Sequence, residues 1–185
     1  MSVALSLSPF AVFFALMRLH SPIAGLLGAL ATSLLLCARM GWRRESVKVL
    51  EVGSLIVFAA LTAYTLLAAP RWTVATVRLA VDVGLFGIAL VSLLIGRPFT
   101  LQYARERVPE PVWGLPVFLV TNRIITGVWT TAFAVLVAAD AAAEWLPAVP
   151  IWIDVAASVA AFAGAVWFSS WYPGRVQRRA LAGVA

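Results

Sequence analysis

The sequence predicts an all-α, polytopic membrane protein with six transmembrane helices. Of its 185 residues, 63% are hydrophobic and only 12% are charged, whereas an average soluble domain is about half apolar and a quarter charged. The mean hydropathy is +0.97. The apolar residues form long runs, and the connections between them are short and carry most of the basic residues. This pattern is typical of a chain that crosses a bilayer several times.

Six apolar segments mark the expected spans. They are Val3–Met17, Pro22–Cys37, Val49–Ala69, Val74–Ile95, Leu115–Ala139 and Ile151–Trp171. A helix needs about 20 residues to cross about 30 Å of hydrocarbon. The last four segments reach that length, and the first two are shorter. These two form either short spans or a re-entrant hairpin in a five-span protein.

The basic residues predict the orientation of these spans, because Lys and Arg concentrate in cytoplasmic loops. With the N-terminus in the cytoplasm, the inside loops carry Arg39, Arg43, Arg44, Lys48, Arg97, Arg105, Arg107, Arg175, Arg178 and Arg179. The outside carries Arg18, Arg71 and Arg78. We therefore expect a bacterial inner-membrane protein with both termini in the cytoplasm; in the five-span alternative the N-terminus lies outside. Residues 1–185 form one transmembrane domain, with a basic cytoplasmic tail over 172–185.

Composition and motifs argue against most other classes of site. The net charge of +6 comes from residues in short gaps between apolar runs, whereas nucleic-acid binding needs them gathered on a solvated domain. One cysteine, Cys37, and one histidine, His20, cannot form a disulfide or a multi-histidine metal site. The sequence has no nucleotide-binding glycine loop and no common hydrolase or zinc motif. We therefore expect no nucleic-acid partner, metal, cofactor or catalytic residue.

Asp82 lies near the middle of the fourth span, where a charged side chain costs roughly 2.5–3.5 kcal/mol. Arg78 lies one turn earlier on the same face of the helix. Two opposite charges at this spacing can satisfy each other locally. The pair is therefore either a structural ion pair that faces the bundle, or a proton or substrate site.

The fifth span carries a second polar group around Arg123. Asn122, Thr126 and Trp129 share one helical face. We expect Arg123 and Asp82 to face the bundle with an offset in depth of about 10 Å. This face forms either a hydrogen-bonded helix interface or a polar cavity for an anionic headgroup. The candidate intramembrane site is Arg78, Asp82, Asn122, Arg123, Thr126 and Trp129.

The stretch GRPFTLQYARERVPEPVW, residues Gly96–Trp113, connects the fourth and fifth spans. Pro98 suits a first helical turn, and Pro109 and Pro111 stop a helix, so we expect a short helix near 98–109. Its apolar face predicts that it lies in the membrane interface against anionic lipid. The residues expected to contact headgroups are Arg97, Tyr103, Arg105 and Arg107. The alternative is a tight connector whose prolines only aim the next span.

The sixth span repeats small residues at Ala156, Ala160 and Gly164. This spacing allows helices to approach closely. A homo-oligomer is a further candidate assembly.

Several short motifs are spread over nearly the whole chain at a characteristic spacing. They are Phe13-Phe14, Trp42-Arg43-Arg44, Gly96-Arg97-Pro98, Gln102, Pro111-Val112-Trp113, Asn122, Trp129, Phe133 and Trp145-Leu146-Pro147. In these features the chain resembles the intracellular septation protein A family of bacterial inner-membrane proteins. The resemblance implies a role in cell division and envelope maintenance, with no assigned reaction.

Three functions remain as hypotheses. The first is a non-enzymatic membrane protein of the septation type, which acts through envelope or division proteins or through lipids. The second is a small-solute or lipid transporter or channel that uses Asp82, Asn122 and Arg123. The third is an intramembrane enzyme that acts on lipid. A cavity lined by these polar groups would favour the second, and a closed bundle in which they face one another would favour the first.

Overall fold

The computed structural model describes residues 3–43, 46, 48–68, 72–146 and 150–182. This part of the chain is helical throughout, and its connections are short. The helices are α1 (Val3–Ser6), α2 (Ser8–Leu19), α3 (Pro22–Arg43), α4 (Val49–Ala68), α5 (Val74–Leu94), α6 (Phe99–Arg105), α7 (Pro116–Trp145) and α8 (Ile151–Ala182), with a 3-10 turn at Glu110–Val112. The predicted class, an all-α polytopic membrane protein, is confirmed.

Five helices are long and apolar enough to cross a membrane: α3, α4, α5, α7 and most of α8. The expectation that the second segment is short is wrong, because α3 runs on past Cys37 to Arg43 and has 22 residues. Alanine, arginine and methionine favour this extension, and the terminal arginine suits the negative end of the helix dipole. Helix α2 has 12 residues, or about 18 Å of length, and remains the one short apolar helix of the described chain.

The long helices pack mainly against their neighbours in sequence, and α5 packs directly against α7, while α6 packs mainly on α7 and touches α5. Helices α2 and α3 form a tight antiparallel pair. A Cβ atom added at Gly25 would lie 2.9 Å from the carbonyl oxygen of Phe13, so this contact requires glycine. The ring of Phe58, from α4, lies 5.1 Å from that of Phe10 and 6.0 Å from that of Phe13. Aromatic packing therefore joins the N-terminal pair to the rest of the bundle.

Helix α1 lies at the end of the bundle where α4 begins. The Ser6 hydroxyl donates a hydrogen bond of 2.7 Å to Glu51, which is in the first turn of α4. Glu51 is buried, so α1 covers this end of α4. The chain thus starts at one end of the bundle, reaches the other through α2 and returns through α3.

Helix α8 is the least buried of the long helices. Ala156, Ala160 and Gly164 are all exposed, and the last two line an open groove of about 470 Å³ between α7 and α8. The close approach that their spacing allows is therefore not made within the described chain. The helix continues through Pro173 to Ala182, so the tail predicted over 172–185 is helical as far as it is described.

Candidate functional site

Arg78 lies one turn inside α5 and forms ion pairs with two other helices. Its guanidinium nitrogen Nη2 lies 2.5 Å from Oδ1 of Asp140 on α7 and 2.8 Å from Oδ2 of Asp154 on α8. The side chains of Asp140 and Asp154 are 1% and 0% exposed, and that of Arg78 is 15% exposed. A guanidinium presents five donors in a planar fork and can hold two carboxylates at once. Arg78 therefore joins α5, α7 and α8.

Asp82 lies one turn deeper on the same face of α5 and is 2% exposed. Its prediction as a bundle-facing residue is confirmed. The expected pairing with Arg78 is replaced by a contact with Asp140, whose carboxyl group lies within hydrogen-bonding reach. Arg78 instead forms its short ion pairs with Asp140 of α7 and Asp154 of α8. We call Arg78, Asp82, Asp140 and Asp154 the arginine–aspartate cluster.

The rim of this cluster is polar and reaches water. Glu144, one turn beyond Asp140, accepts hydrogen bonds from Thr73 at 3.0 Å and from Thr76 at 2.8 Å. Thr73 also caps α5, because its hydroxyl accepts the backbone N–H of Thr76 at 3.0 Å. These contacts fix the start of α5 against the end of α7.

Sequence reasoning missed Asp140 and Asp154, which are absent from the predicted intramembrane site. Each is 1% exposed. One signal could have found Asp140: it follows Leu136 by four residues, on the face of α7 that also carries Phe133 and Trp129. The position of Asp154 had no comparable signal, because the exposed residues of α8 are as apolar as its buried ones.

Arg123 is exposed, so the expectation that it faces the bundle is wrong. Its distance from the cluster was also underestimated. Arg123 lies seventeen residues before Asp140 on the same helix, which is about 26 Å at 1.5 Å per residue. A long cationic side chain there can extend along the helix toward headgroups instead of pairing with Asp82.

Asn122, Thr126 and Trp129 lie on the buried face of α7, as predicted, but apart from the cluster. The Asn122 amide donates to the carbonyl oxygen of Phe118 in its own helix. Thr126 and Thr100 of α6 share a hydrogen bond of 2.7 Å. The Trp129 indole donates to Ser169 of α8 at 2.8 Å. These groups hold α6 and α8 on α7, and the structure does not bring them together with Asp82.

Helix α6 is confirmed, but it is packed into the bundle rather than laid flat on a membrane surface. Phe99 is fully buried. Tyr103 is 3% exposed, so its predicted contact with headgroups is wrong; its ring lies 5.3 Å from the Lys48 ammonium. The Gln102 side chain accepts the backbone N–H of Val49 at 2.8 Å. Gly96, with a φ of +70°, makes the reversal that folds α6 back onto the bundle.

The outer face of the α6 segment is basic. Arg97, Arg105 and Arg107 are exposed, as a headgroup contact requires. The Arg105 guanidinium lies 5.4 Å from the centre of the Trp113 ring. These three side chains therefore lie on, or within two residues of, a helix that is itself held in place.

Lys48 secures α6 to the start of α4. Its ammonium lies 2.7 Å from Glu106, and the Lys48 side chain is fully buried. Burial opposes ionisation of Glu106, but the neighbouring cation of Lys48 favours the carboxylate, and the pKa of that carboxyl is lowered. Burial raises the pKa of the Tyr103 phenol. The phenol therefore stays neutral next to the Lys48 ammonium.

Comparison with protein-family models, curated proteins and solved structures finds no match for this chain. The resemblance to the septation family therefore stays a prediction. Within the described ranges, no group of three or more His, Cys, Asp and Glu side chains is arranged to hold a metal ion.

Proposed function

We propose that this chain is a non-enzymatic protein of the bacterial inner membrane, of the septation type, that acts in cell division or envelope maintenance through lipid and protein contacts. It crosses the membrane six times, with α1 and α2 as a short first crossing and both termini in the cytoplasm. The hydrogen bond between Ser6 and Glu51 supports this path, because it keeps the start of the chain at the end where α4 begins.

The observation that carries the proposal is the exposed arginine surface at one end of the bundle. We call it the basic end; it consists of Arg43, Arg97, Arg105, Arg107, Arg175 and Arg178, all exposed. At the opposite end, Arg78 is paired with buried acids. This asymmetry is what the positive-inside rule requires of a cytoplasmic face, and it presents anionic lipid or an acidic partner with a fixed cationic surface.

The geometry gives no support to a transport site made of Asp82, Asn122 and Arg123. Asp82 contacts Asp140, while Arg123 is exposed about 26 Å along α7 from that residue. Two grooves among the described residues are open, and apolar side chains of α7 and α8 supply most of their lining. A closed bundle whose polar groups pair with one another fits a protein that works through its surfaces.

Lipid binding tests the basic end directly. Each arginine near an anionic surface contributes about 1 kcal/mol, so replacing Arg105 and Arg107 together by Gln should weaken the binding of phosphatidylglycerol or cardiolipin by roughly 30-fold. Glu106 and Glu110 offset part of the field and make this an upper value. The matched control is Arg18→Gln, an exposed arginine outside the basic end. Unchanged lipid binding with lowered stability would show a structural connector instead.

The cellular role needs its own measurement. Cells that lack the protein should show altered length distribution or envelope sensitivity, and the wild-type gene should restore both. The variant with Arg105 and Arg107 replaced by Gln should restore them less well at equal protein level. Normal division and envelope integrity in the deletion strain would contradict the proposed function.

A further inference from the structure

The arginine–aspartate cluster buries more negative groups than positive ones. Three carboxyl groups of α5, α7 and α8 surround one guanidinium, and all three are nearly inaccessible to solvent. Removing an ion from water is costly unless a counter-charge and hydrogen bonds replace the water. Arg78 supplies a counter-charge to both Asp140 and Asp154, but a hydrogen bond to Asp140 alone, because neither oxygen of Asp154 has a hydrogen-bond partner among the described residues. Three carboxylates around one guanidinium leave two negative groups more than Arg78 can balance.

Asp82 is one of these groups, because it takes part in neither ion pair of Arg78. Its Oδ1 accepts no hydrogen bond from the described residues, and neither does Oδ2 of Asp140. The two carboxyl groups nevertheless lie within hydrogen-bonding distance of each other. Two carboxylates this close cannot both be ionised at low energetic cost, and a single proton between them turns the repulsion into a hydrogen bond.

We propose that Asp82 and Asp140 form a proton-binding site inside the bundle, in which the two carboxyl groups share one proton at neutral pH, so that Arg78 faces two negative charges, one on this pair and one on Asp154, instead of three. The site is independent of the lipid contacts proposed at the basic end. The other titratable groups near it are Asp154 on α8, Glu144 at the end of α7, and Tyr64 of α4, which is half-exposed against Trp72.

The proton exchanges with water at the end of the bundle where α5 begins. Glu144 connects the cluster to the exposed Thr73, one turn from Asp140. In the other direction from Asp82, the buried side chains that follow on α5 are Leu85 and Ala89, and Phe133 lies on α7. Apolar packing therefore closes the site on that side.

Equilibrium unfolding in mixed micelles, followed as a function of pH, tests the proposal. Carboxyl groups of an unfolded chain have lost their protons well below pH 7, whereas the folded pair keeps one. Folding then binds a proton, and the unfolding equilibrium constant should rise about tenfold per pH unit between about pH 5 and pH 7. Asp82→Asn replaces the shared proton by an amide donor toward Asp140, so this dependence should disappear. Glu144→Gln, the matched control on the rim, should keep it.

Two further measurements keep the test decisive. Infrared spectra of the folded wild-type protein at neutral pH should show the carbonyl band of a protonated carboxylic acid, which Asp82→Asn removes. Absence of this band in the wild type would overturn the proposal even if the variant failed to fold, as would a tenfold dependence that survives in Asp82→Asn. Replacing sodium by choline at constant ionic strength should change nothing; a sodium-dependent stabilisation lost in Asp82→Asn would show a metal cation at the site and overturn it too.

Discussion

Replacing Arg78 by methionine should be among the most damaging single changes that the structure allows. Methionine keeps most of the side-chain volume but leaves Asp140 and Asp154, 1% and 0% exposed, without a counter-charge. Removing one partner of a buried ion pair typically costs 3–5 kcal/mol. The partial exposure of Arg78, 15%, and the freedom of helices in a membrane to find other partners favour the lower value. We therefore expect a loss of about 3 kcal/mol, or roughly 150-fold in the folding equilibrium.

The assay is equilibrium unfolding of the purified protein in mixed micelles. The matched control is Arg18→Met, which removes an exposed arginine and should change stability by less than about 0.5 kcal/mol. A triple variant with Arg78→Met, Asp140→Asn and Asp154→Asn should recover at least half of the loss, because neutral amides need no counter-charge. An Arg78→Met protein within about 0.5 kcal/mol of wild type would refute the reasoning, since it would show solvated charges. So would a triple variant less stable than the single one.

Three further predictions concern the basic end and the N-terminal helix pair, and unfolding in the same micelles measures each. Glu106→Gln should cost about 3 kcal/mol, because it leaves the fully buried Lys48 without a counter-charge. Lys48→Met should cost only about 1–2 kcal/mol, because Glu106 is 30% exposed and can be hydrated. Equal costs for the two variants would contradict this prediction. Because the pKa of Glu106 is lowered on folding, this pair stabilises the protein above the pKa of the unfolded carboxyl group, near 4.5. The stabilisation should vanish as the pH falls through the lower pKa of the folded state. Glu106→Gln should show no such loss. Gly25→Leu should cost about 1–3 kcal/mol, because the new side chain meets the Phe13 backbone at 2.9 Å, while Gly41→Ala, with open space around it, should be neutral.

The sequence predicts the elements of this fold better than their contacts. Hydropathy over about 20 residues locates α4, α5, α7 and α8, because a membrane imposes the same length on every span. The same criterion predicted α3 to be too short, because arginines near Arg43 lower the hydropathy without ending the helix. The helix around Tyr103 was found from its flanking prolines and glycine, which act locally.

The contacts of the candidate site depend on which helix faces which, and a single sequence contains little of that information. Asp82 and Arg78 were found because charges within a span are rare. Their partners were missed because Asp140 and Asp154 lie close to span ends, where a carboxylate in water looks the same in sequence as one buried against another helix. Arg123 was misplaced for the opposite reason: a charge within an apolar run was taken to face inward, whereas a long side chain can remain exposed and extend to the interface.

The two ends of the bundle use charge for different purposes. At the end that holds Arg78, the charges are buried between α5, α7 and α8 and cannot reach a partner. At the basic end, Lys48 is buried and paired in this way, and it fixes α6 in place. The arginines at that end remain on the surface. Each one raises the positive electrostatic potential there without stabilising the fold. A protein that needed only a stable bundle would gain nothing from this division, because exposed ion pairs contribute little to stability. The exposed arginines are therefore best explained by something outside the chain, and the packed helix beneath Arg105 and Arg107 keeps them in position to bind it.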